Sequence, residues 1–177
     1  RAVFAARGDL FNVPAEEGYI LNLTASSGAL DRNPSWSPDG KYIAYWSDAS
    51  GENEIYITES GSGAKPKKLT SFGKGFGFNL YWSPDSKKIA FIDSEQRIQV
   101  LTVANGEIKQ IDKTTTLTFN ALWGFRPSWS PDGSQLAVIG GWDPVSGGAK
   151  NAHLWVVPAA GGDARNLSGD FDRSIGD

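Results

Sequence analysis

Asp48, Glu52 and Glu54 lie in the run Asp48-Ala49-Ser50-Gly51-Glu52-Asn53-Glu54, which sets oxygen side chains at alternating positions around a glycine. Hard cations such as calcium take carboxylate and carbonyl oxygens in flexible geometry, so these three are the chain's candidate metal ligands. The run lacks the full loop pattern that would make it specific for calcium. A tight turn in which Asp48 bonds backbone amides accounts for the same residues, and the similar turn at Asp93 and Glu95 keeps little of the ligand set. Nucleophilic triad chemistry needs a nucleophile, a base and an orienting acid within hydrogen-bond reach. His153 is the one histidine, and neither Gly61-Ser62-Gly63 nor Ser146-Gly147-Gly148 has the Gly-x-Ser-x-Gly spacing of a nucleophile elbow. A lyase built around a metal would need several histidines. No catalytic residue and no cofactor are therefore expected, and His153 reads as structural or exposed.

Other short motifs have plainer explanations. Arg7-Gly8-Asp9 matches an adhesion tripeptide, yet it falls where a hairpin turn needs glycine at positive φ. Asn22-Leu23-Thr24 and Asn166-Leu167-Ser168 fit the glycosylation pattern and also coincide with short strands. Lys65, Lys67 and Lys68 read as a solvated loop. The formal net charge of -3 lacks the electrostatic footprint of a nucleic-acid binder. No apolar run approaches the length of a membrane-spanning helix, so no membrane insertion is expected, and the absence of cysteine excludes disulfides and thiolate metal sites.

The elements that position all of these come from a repeat. Trp36-Ser37-Pro38-Asp39-Gly40 returns as Trp82-Ser83-Pro84-Asp85-Ser86 and as Trp129-Ser130-Pro131-Asp132-Gly133, at spacings of 46 and 47 residues. A period in this range marks a propeller or solenoid, in which each unit cannot bury its apolar face alone. Each copy precedes apolar runs at 42–46, 88–92 and 135–139, then at 54–57, 97–101 and 153–157, then short segments at 68–70, 110–112 and 166–168. Runs rich in β-branched and aromatic residues between Gly, Pro, Asp and Ser read as strands. The fold class predicted is all-β: a β-propeller of four-stranded antiparallel blades, with strands A to D and strand A running into Trp-Ser-Pro-Asp. Pro38, Pro84 and Pro131 preset the turn, and Asp39, Asp85 and Asp132 supply its local hydrogen bond. Trp36, Trp82 and Trp129 are expected to pack between neighbouring blades. With 40% hydrophobic and 12% aromatic residues, 21 glycines and 9 prolines, the chain can bury a real core of this kind.

The segments at 3–6, 9–14 and 21–24 match strands B, C and D with no Trp-Ser-Pro-Asp before them. Phe171-Asp172-Arg173 resembles Leu30-Asp31-Arg32, the lead-in to strand A. One propeller domain over 1–177 is thus expected. Its blades fall at about 1–29 (strands B to D), 30–72, 73–115 and 116–170, with 171–177 leading into a further strand A. The last unit is Gly- and Ala-rich, while nine of the ten lysines lie from Lys41 to Lys113, but the period runs through this change. Three closures stay open: a ring of four blades, two chains completing each other head to tail, or an excerpt of a longer protein. Incompleteness in one form or another is the expectation. Four such blades leave little room at the axis, and the chain contains no methionine.

Pro34-Ser35-Trp36-Ser37-Pro38-Asp39-Gly40-Lys41-Tyr42-Ile43-Ala44-Tyr45, followed by Ser47-Asp48 and Glu54-Ile55-Tyr56-Ile57, closely resembles the TolB-type, WD-like propeller repeat. Phe4 to Phe11 with Asn22-Leu23-Thr24 and Ser47 to Glu52 is similar to the N-terminal propeller of tricorn-type proteases. Leu154-Trp155-Val156-Val157-Pro158 with Asn166-Leu167-Ser168 is similar to propellers of the prolyl oligopeptidase family. In such peptidases the resemblance implies a substrate-gating scaffold whose catalytic residues lie in other domains. For TolB-like envelope proteins it implies a protein-binding module. The implied partners are a second copy of the chain, closing a homodimer or ring through the split blade, or a protein or peptide ligand. A stand-alone or engineered half-propeller that self-assembles is the alternative. The resemblance also implies a prokaryotic, periplasmic or cytoplasmic setting.

Overall fold

A computed structural model of the chain describes residues 1–26, 28–61, 65–95, 97–113, 126–140 and 153–168. These residues form four antiparallel sheets and no helix. The first sheet holds β1 (Ala2–Ala6), β2 (Asp9–Val13) and β3 (Leu21–Asn22). The second holds β4 (Arg32–Trp36), β5 (Tyr42–Ser47), β6 (Glu54–Glu59) and β7 (Lys67–Lys68). The third holds β8 (Tyr81–Trp82), β9 (Lys88–Ile92), β10 (Arg97–Thr102) and β11 (Ile108–Lys113). The fourth holds β12 (Ser128–Trp129), β13 (Gln135–Gly140), β14 (His153–Pro158) and β15 (Arg165–Asn166). Neighbours in each sheet follow chain order, so every sheet is a meander and the whole is a partial β-propeller. The expected strand-A lead-in at Phe171 to Arg173 and the loop Gly141 to Ala152 lie outside the described residues.

Period-two alternation decides where the core sits. In β5, Ile43 and Tyr45 turn toward the first sheet, joining Leu10 and Leu23, while Ala44 and Trp46 turn toward the third, joining Trp82, Ile89 and Phe91. In β9, Ala90 and Ile92 repeat the forward face and meet Leu136, Val138 and Val157 of the fourth sheet. Each successive pair of sheets thus encloses one apolar layer, buried on both faces of the middle strands. Burial of an Ile or Phe side chain here stabilises by roughly 1.5–3 kcal/mol, so the sheets hold together only as a stack.

The last strand of three sheets ends earlier than the sequence predicts. Segments expected at 21–24, 68–70 and 166–168 are paired only over Leu21–Asn22, Lys67–Lys68 and Arg165–Asn166. A hydroxyl replaces the next backbone acceptor. Thr24 Oγ1 accepts from Leu10 N at 3.1 Å, Thr70 Oγ1 from Ile55 N at 2.8 Å and Ser168 Oγ from Leu154 N at 3.2 Å. The ladder stops there because the amide of the second residue of the neighbouring strand already has its partner.

Candidate functional site

The three Trp-Ser-Pro-Asp turns close on the same hydrogen bonds. Ser37 Oγ accepts from Tyr42 N at 2.9 Å and donates to Asp39 Oδ1 at 2.6 Å, and Asp39 Oδ1 also accepts from Lys41 N at 3.1 Å. Ser83 with Asp85 repeats these contacts at 2.9, 2.7 and 3.1 Å, and Ser130 with Asp132 does so once more. The serine hydroxyl in each turn holds its aspartate below the usual carboxylate range, with backbone amides helping; Asp132 falls to about 2. Pro38, Pro84 and Pro131 stand exposed at the outside of the turns. The backbone reverses at Gly40 (φ 71), Ser86 (φ 59) and Gly133 (φ 68). Ser86 tolerates this conformation while its hydroxyl accepts from Asp39 N at 3.1 Å, a bond between sheets.

The tryptophans stitch one sheet to the one before it. Trp82 Nε1 donates to the Ser35 carbonyl and Trp129 Nε1 to the Tyr81 carbonyl, both at 3.0 Å. Trp36 packs against Leu10, Ile43 and Tyr45, and its indole nitrogen is buried without a hydrogen-bond partner.

The acidic candidates are spread across separate tasks. Asp48 Oδ1 accepts from Leu30 N at 2.7 Å, tying the turn to the approach of β4. Glu52 is exposed. Glu54 is buried and accepts from Thr70 Oγ1 at 2.6 Å, Phe72 N at 3.0 Å and Gly73 N at 3.2 Å, which braces the loop leaving β7. Among the described residues, no three of His, Cys, Asp and Glu gather closely enough to hold a metal ion. His153 occupies the place of Glu54 in the last sheet, and its Nδ1 lies 2.9 Å from Ser168 Oγ. In the first sheet Asp9 does the bracing, accepting from Ser26 N at 3.0 Å and from Asn22 Nδ2 at 2.8 Å. Its carboxylate is thus occupied within the sheet, while Arg7 and Gly8 (φ 53 and 88) make the turn. Asn22 and Asn166 each fold back on the backbone two residues later.

Sequence reasoning missed this hydroxyl and brace pairing. Its signal was available: Thr24, Thr70 and Ser168 each follow the brace residue by about one strand and turn. It also missed a polar cluster in the third sheet. Burial works to raise the Asp93 carboxyl, but Gln99 Nε2 at 2.9 Å, Arg97 N at 3.0 Å and Arg97 Nε at 2.7 Å outweigh it and hold it low. Asp93 and Arg97 border a cleft of about 40 Å³ with Trp46, Phe72 and Phe76. That space admits little more than a water or the tip of a side chain.

Two of the exposed large apolar side chains lie on the outer faces of the stack. Phe4 occupies the position of Tyr45 and Phe91 and is 55% exposed, where they are 1% and 0%. Ile139 occupies the position of Trp46 and Ile92 and is 50% exposed, where they are 1% and 0%. Both are core positions of the repeat without a neighbouring sheet among the described residues.

Known proteins carry the same pattern. The family model described as the TolB beta propeller domain matches residues 5–139. The Tol-Pal system protein TolB of Francisella tularensis subsp. holarctica is 35% identical over 83 residues, which are 44% of this chain and 19% of that protein. Dipeptidyl-peptidase 5 of Porphyromonas gingivalis is 32% identical over 112 residues, 52% of this chain and 16% of that protein. The crystal structure of the tricorn protease superposes on 93% of this chain and 15% of its own with a TM-score of 0.74 at 13% identity, a likeness of fold alone. The chain therefore spans about a fifth or less of the length of these relatives. With three copies of the turn inside the matched span, the chain belongs to the TolB beta propeller domain family.

Proposed function

We propose that the chain is a non-catalytic β-propeller scaffold that works by binding protein, and that its outer blade faces are the contact surfaces. The observation that carries this is the exposure of Phe4 and Ile139 at positions that are buried in the two middle sheets. A face of this type is complementary to another blade. A second copy docking head to tail would cover Phe4 of one chain with Ile139 of the next, a heterologous contact that closes a ring if the rotation permits. Sedimentation or light scattering over a wide concentration range tests it. The mass is expected to rise to a dimer or higher species, and Ile139→Glu or Phe4→Glu returns the chain to monomer with unchanged circular dichroism. A strict monomer whose melting temperature ignores concentration overturns self-association.

The sequence likeness to dipeptidyl-peptidase 5 favours a second reading, in which the same scaffold admits peptide to a catalytic domain elsewhere in one polypeptide. Its test is the parent gene: a peptidase domain encoded beside this segment supports gating, and its absence removes that reading.

A further inference from the structure

Two peptide bonds of this chain join aspartate to glycine, Asp39-Gly40 and Asp132-Gly133, and both close a Trp-Ser-Pro-Asp turn. Aspartate before glycine is chemically labile, because no side chain hinders the glycine nitrogen from attacking the neighbouring carboxyl carbon. The attack forms an N–Cγ bond, the amide proton leaves with the carboxyl hydroxyl as water, and a five-membered succinimide remains. Water then opens the ring at either carbonyl. One opening restores aspartate, and the other leaves isoaspartate, in which the main chain runs through the side-chain carbon. No oxidant, reductant or further reagent is required. Burial gives no protection here, since Asp39 and Asp132 are both exposed.

The groups that the reaction needs are nevertheless engaged. Gly40 N donates to the Ser37 carbonyl and Gly133 N to the Ser130 carbonyl, both at 2.9 Å. The carboxyl must be protonated before its hydroxyl can leave, and hydrogen bonds into a carboxylate favour the ionised form. Asp39 Oδ1 accepts from Ser37 Oγ at 2.6 Å and from Lys41 N at 3.1 Å. Asp132 Oδ1 accepts from the Ser130 hydroxyl and from Ser134 N at 3.0 Å, and the Ser134 hydroxyl lies 2.8 Å from both carboxylate oxygens. Both carboxyls sit below their ordinary range, and the serine two residues earlier is the first cause. Each turn also meets a neighbouring sheet. Asp39 N donates to Ser86 Oγ at 3.1 Å, and a Cβ on Gly133 would lie 3.8 Å from the Ser83 Cβ. An extra backbone carbon at either place would disturb these contacts.

We propose that Asp39-Gly40 and Asp132-Gly133 are latent isoaspartate sites, and that Ser37 and Ser130 are the positioning residues that keep them closed. Each serine acts twice: its carbonyl holds the glycine nitrogen and its hydroxyl holds the carboxylate. Asp85-Ser86 has the same two bonds, from Ser86 N to the Ser83 carbonyl and from Ser83 Oγ to Asp85 Oδ1. The attacking residue there carries a side chain as well, so it is the least reactive of the three turns. Asn105-Gly106 is the one asparagine-glycine pair, and its side chain bonds Glu107 instead of a serine. Its deamidation provides an internal clock.

The full chain is incubated at neutral pH and digested, and isoaspartate is counted at each site by peptide mapping with a protease that cleaves at aspartate but not at isoaspartate. A free peptide of residues 127–136 is the open reference. Isoaspartate at Asp132 of the parent chain is expected to form about tenfold or more slowly than in that peptide. Ser130→Ala should speed it about tenfold, the worth of one hydrogen bond to a charged group, and leave the Asn105 clock unchanged. Ser37→Ala should act in the same way at Asp39 alone. Thr70→Val lowers stability at a distance from both turns and should leave Asp132 slow, which separates local holding from general unfolding. If Ser130→Ala does not fold, Ser37→Ala and the comparison of parent with peptide decide. A parent rate equal to that of the peptide overturns the inference. So does an unchanged rate in a folded Ser130→Ala, or an equal acceleration by Thr70→Val.

Discussion

Gly77 lies on the approach to β8, and alanine there would drive its Cβ into the Trp46 indole. Cη2 would lie at 2.5 Å and Cε2 at 2.8 Å, with Cζ2 closer still. The φ of Gly77 is not in the left-handed region, so the clash is the whole of the effect. Trp46 cannot swing aside freely. Its Nε1 donates to the Phe78 carbonyl at 2.7 Å, and its ring is flanked by Phe72 at 5.9 Å and Phe91 at 5.7 Å between centroids. A retreat of about 1.5 Å or more would be needed to put the Cβ at ordinary contact distance. It would forfeit most of a hydrogen bond of about 1 kcal/mol and add an overpacking cost of about 1–3 kcal/mol. Gly77→Ala is thus expected to destabilise by about 3 kcal/mol, which in urea lowers the midpoint by about 1–2 M for a slope of ordinary size. Trp46→Phe removes the offending ring carbons. In that background Gly77→Ala should cost about 1 kcal/mol or less, a coupling of about 2 kcal/mol in the double-mutant cycle. An additive cycle, or a single mutant within about 0.5 kcal/mol of the parent, would refute the reasoning.

Thr70→Val removes both the donor to Glu54 and the acceptor of Ile55 N, so a loss of about 2–4 kcal/mol is expected in thermal melts; a loss under about 1 kcal/mol would show that the hydroxyl is dispensable. Trp82→Phe should cost about 1 kcal/mol more than Trp36→Phe, because only the former breaks an indole hydrogen bond; equal costs in chemical denaturation would contradict this. The Asp132 carboxyl, held at about 2 by the Ser130 hydroxyl and then by Ser134, should titrate in carbon-13 spectra well below the unfolded value of about 3.9. Its folded value is the lower one, so its contribution to stability is complete above about pH 4 and is lost as pH falls through about 2. Ser130→Ala should move the midpoint up, and a midpoint near 4 in the parent would sink the account.

The β-propeller was legible because its signals are local and repeated. Alternation in 42–46, 88–92 and 135–139 needs only neighbouring residues to declare which side chains face inward, and Pro and Asp in each turn act within five residues. The site was less legible. Asp48 and Glu54 sit six residues apart and read as companions, yet β6 begins between their tasks, and one braces the approach to β4 while the other braces the exit from β7. His153 looked like a lone base and stands where a sister sheet has glutamate. Such placements follow from pairing between strands, which residue spacing along the chain does not encode.

By itself, the sequence determined the repeat period, the four-strand grammar of each unit and the chemistry of the turns. Tertiary structure decided which indoles find a carbonyl, why a glycine must face Trp46, and which faces of the stack stay open at Phe4 and Ile139. The physical reason is range. Turn and strand preferences are settled within a few residues, whereas the Trp82 and Trp129 indoles lie 47 and 48 residues from their acceptors and meet them only when two finished sheets pack.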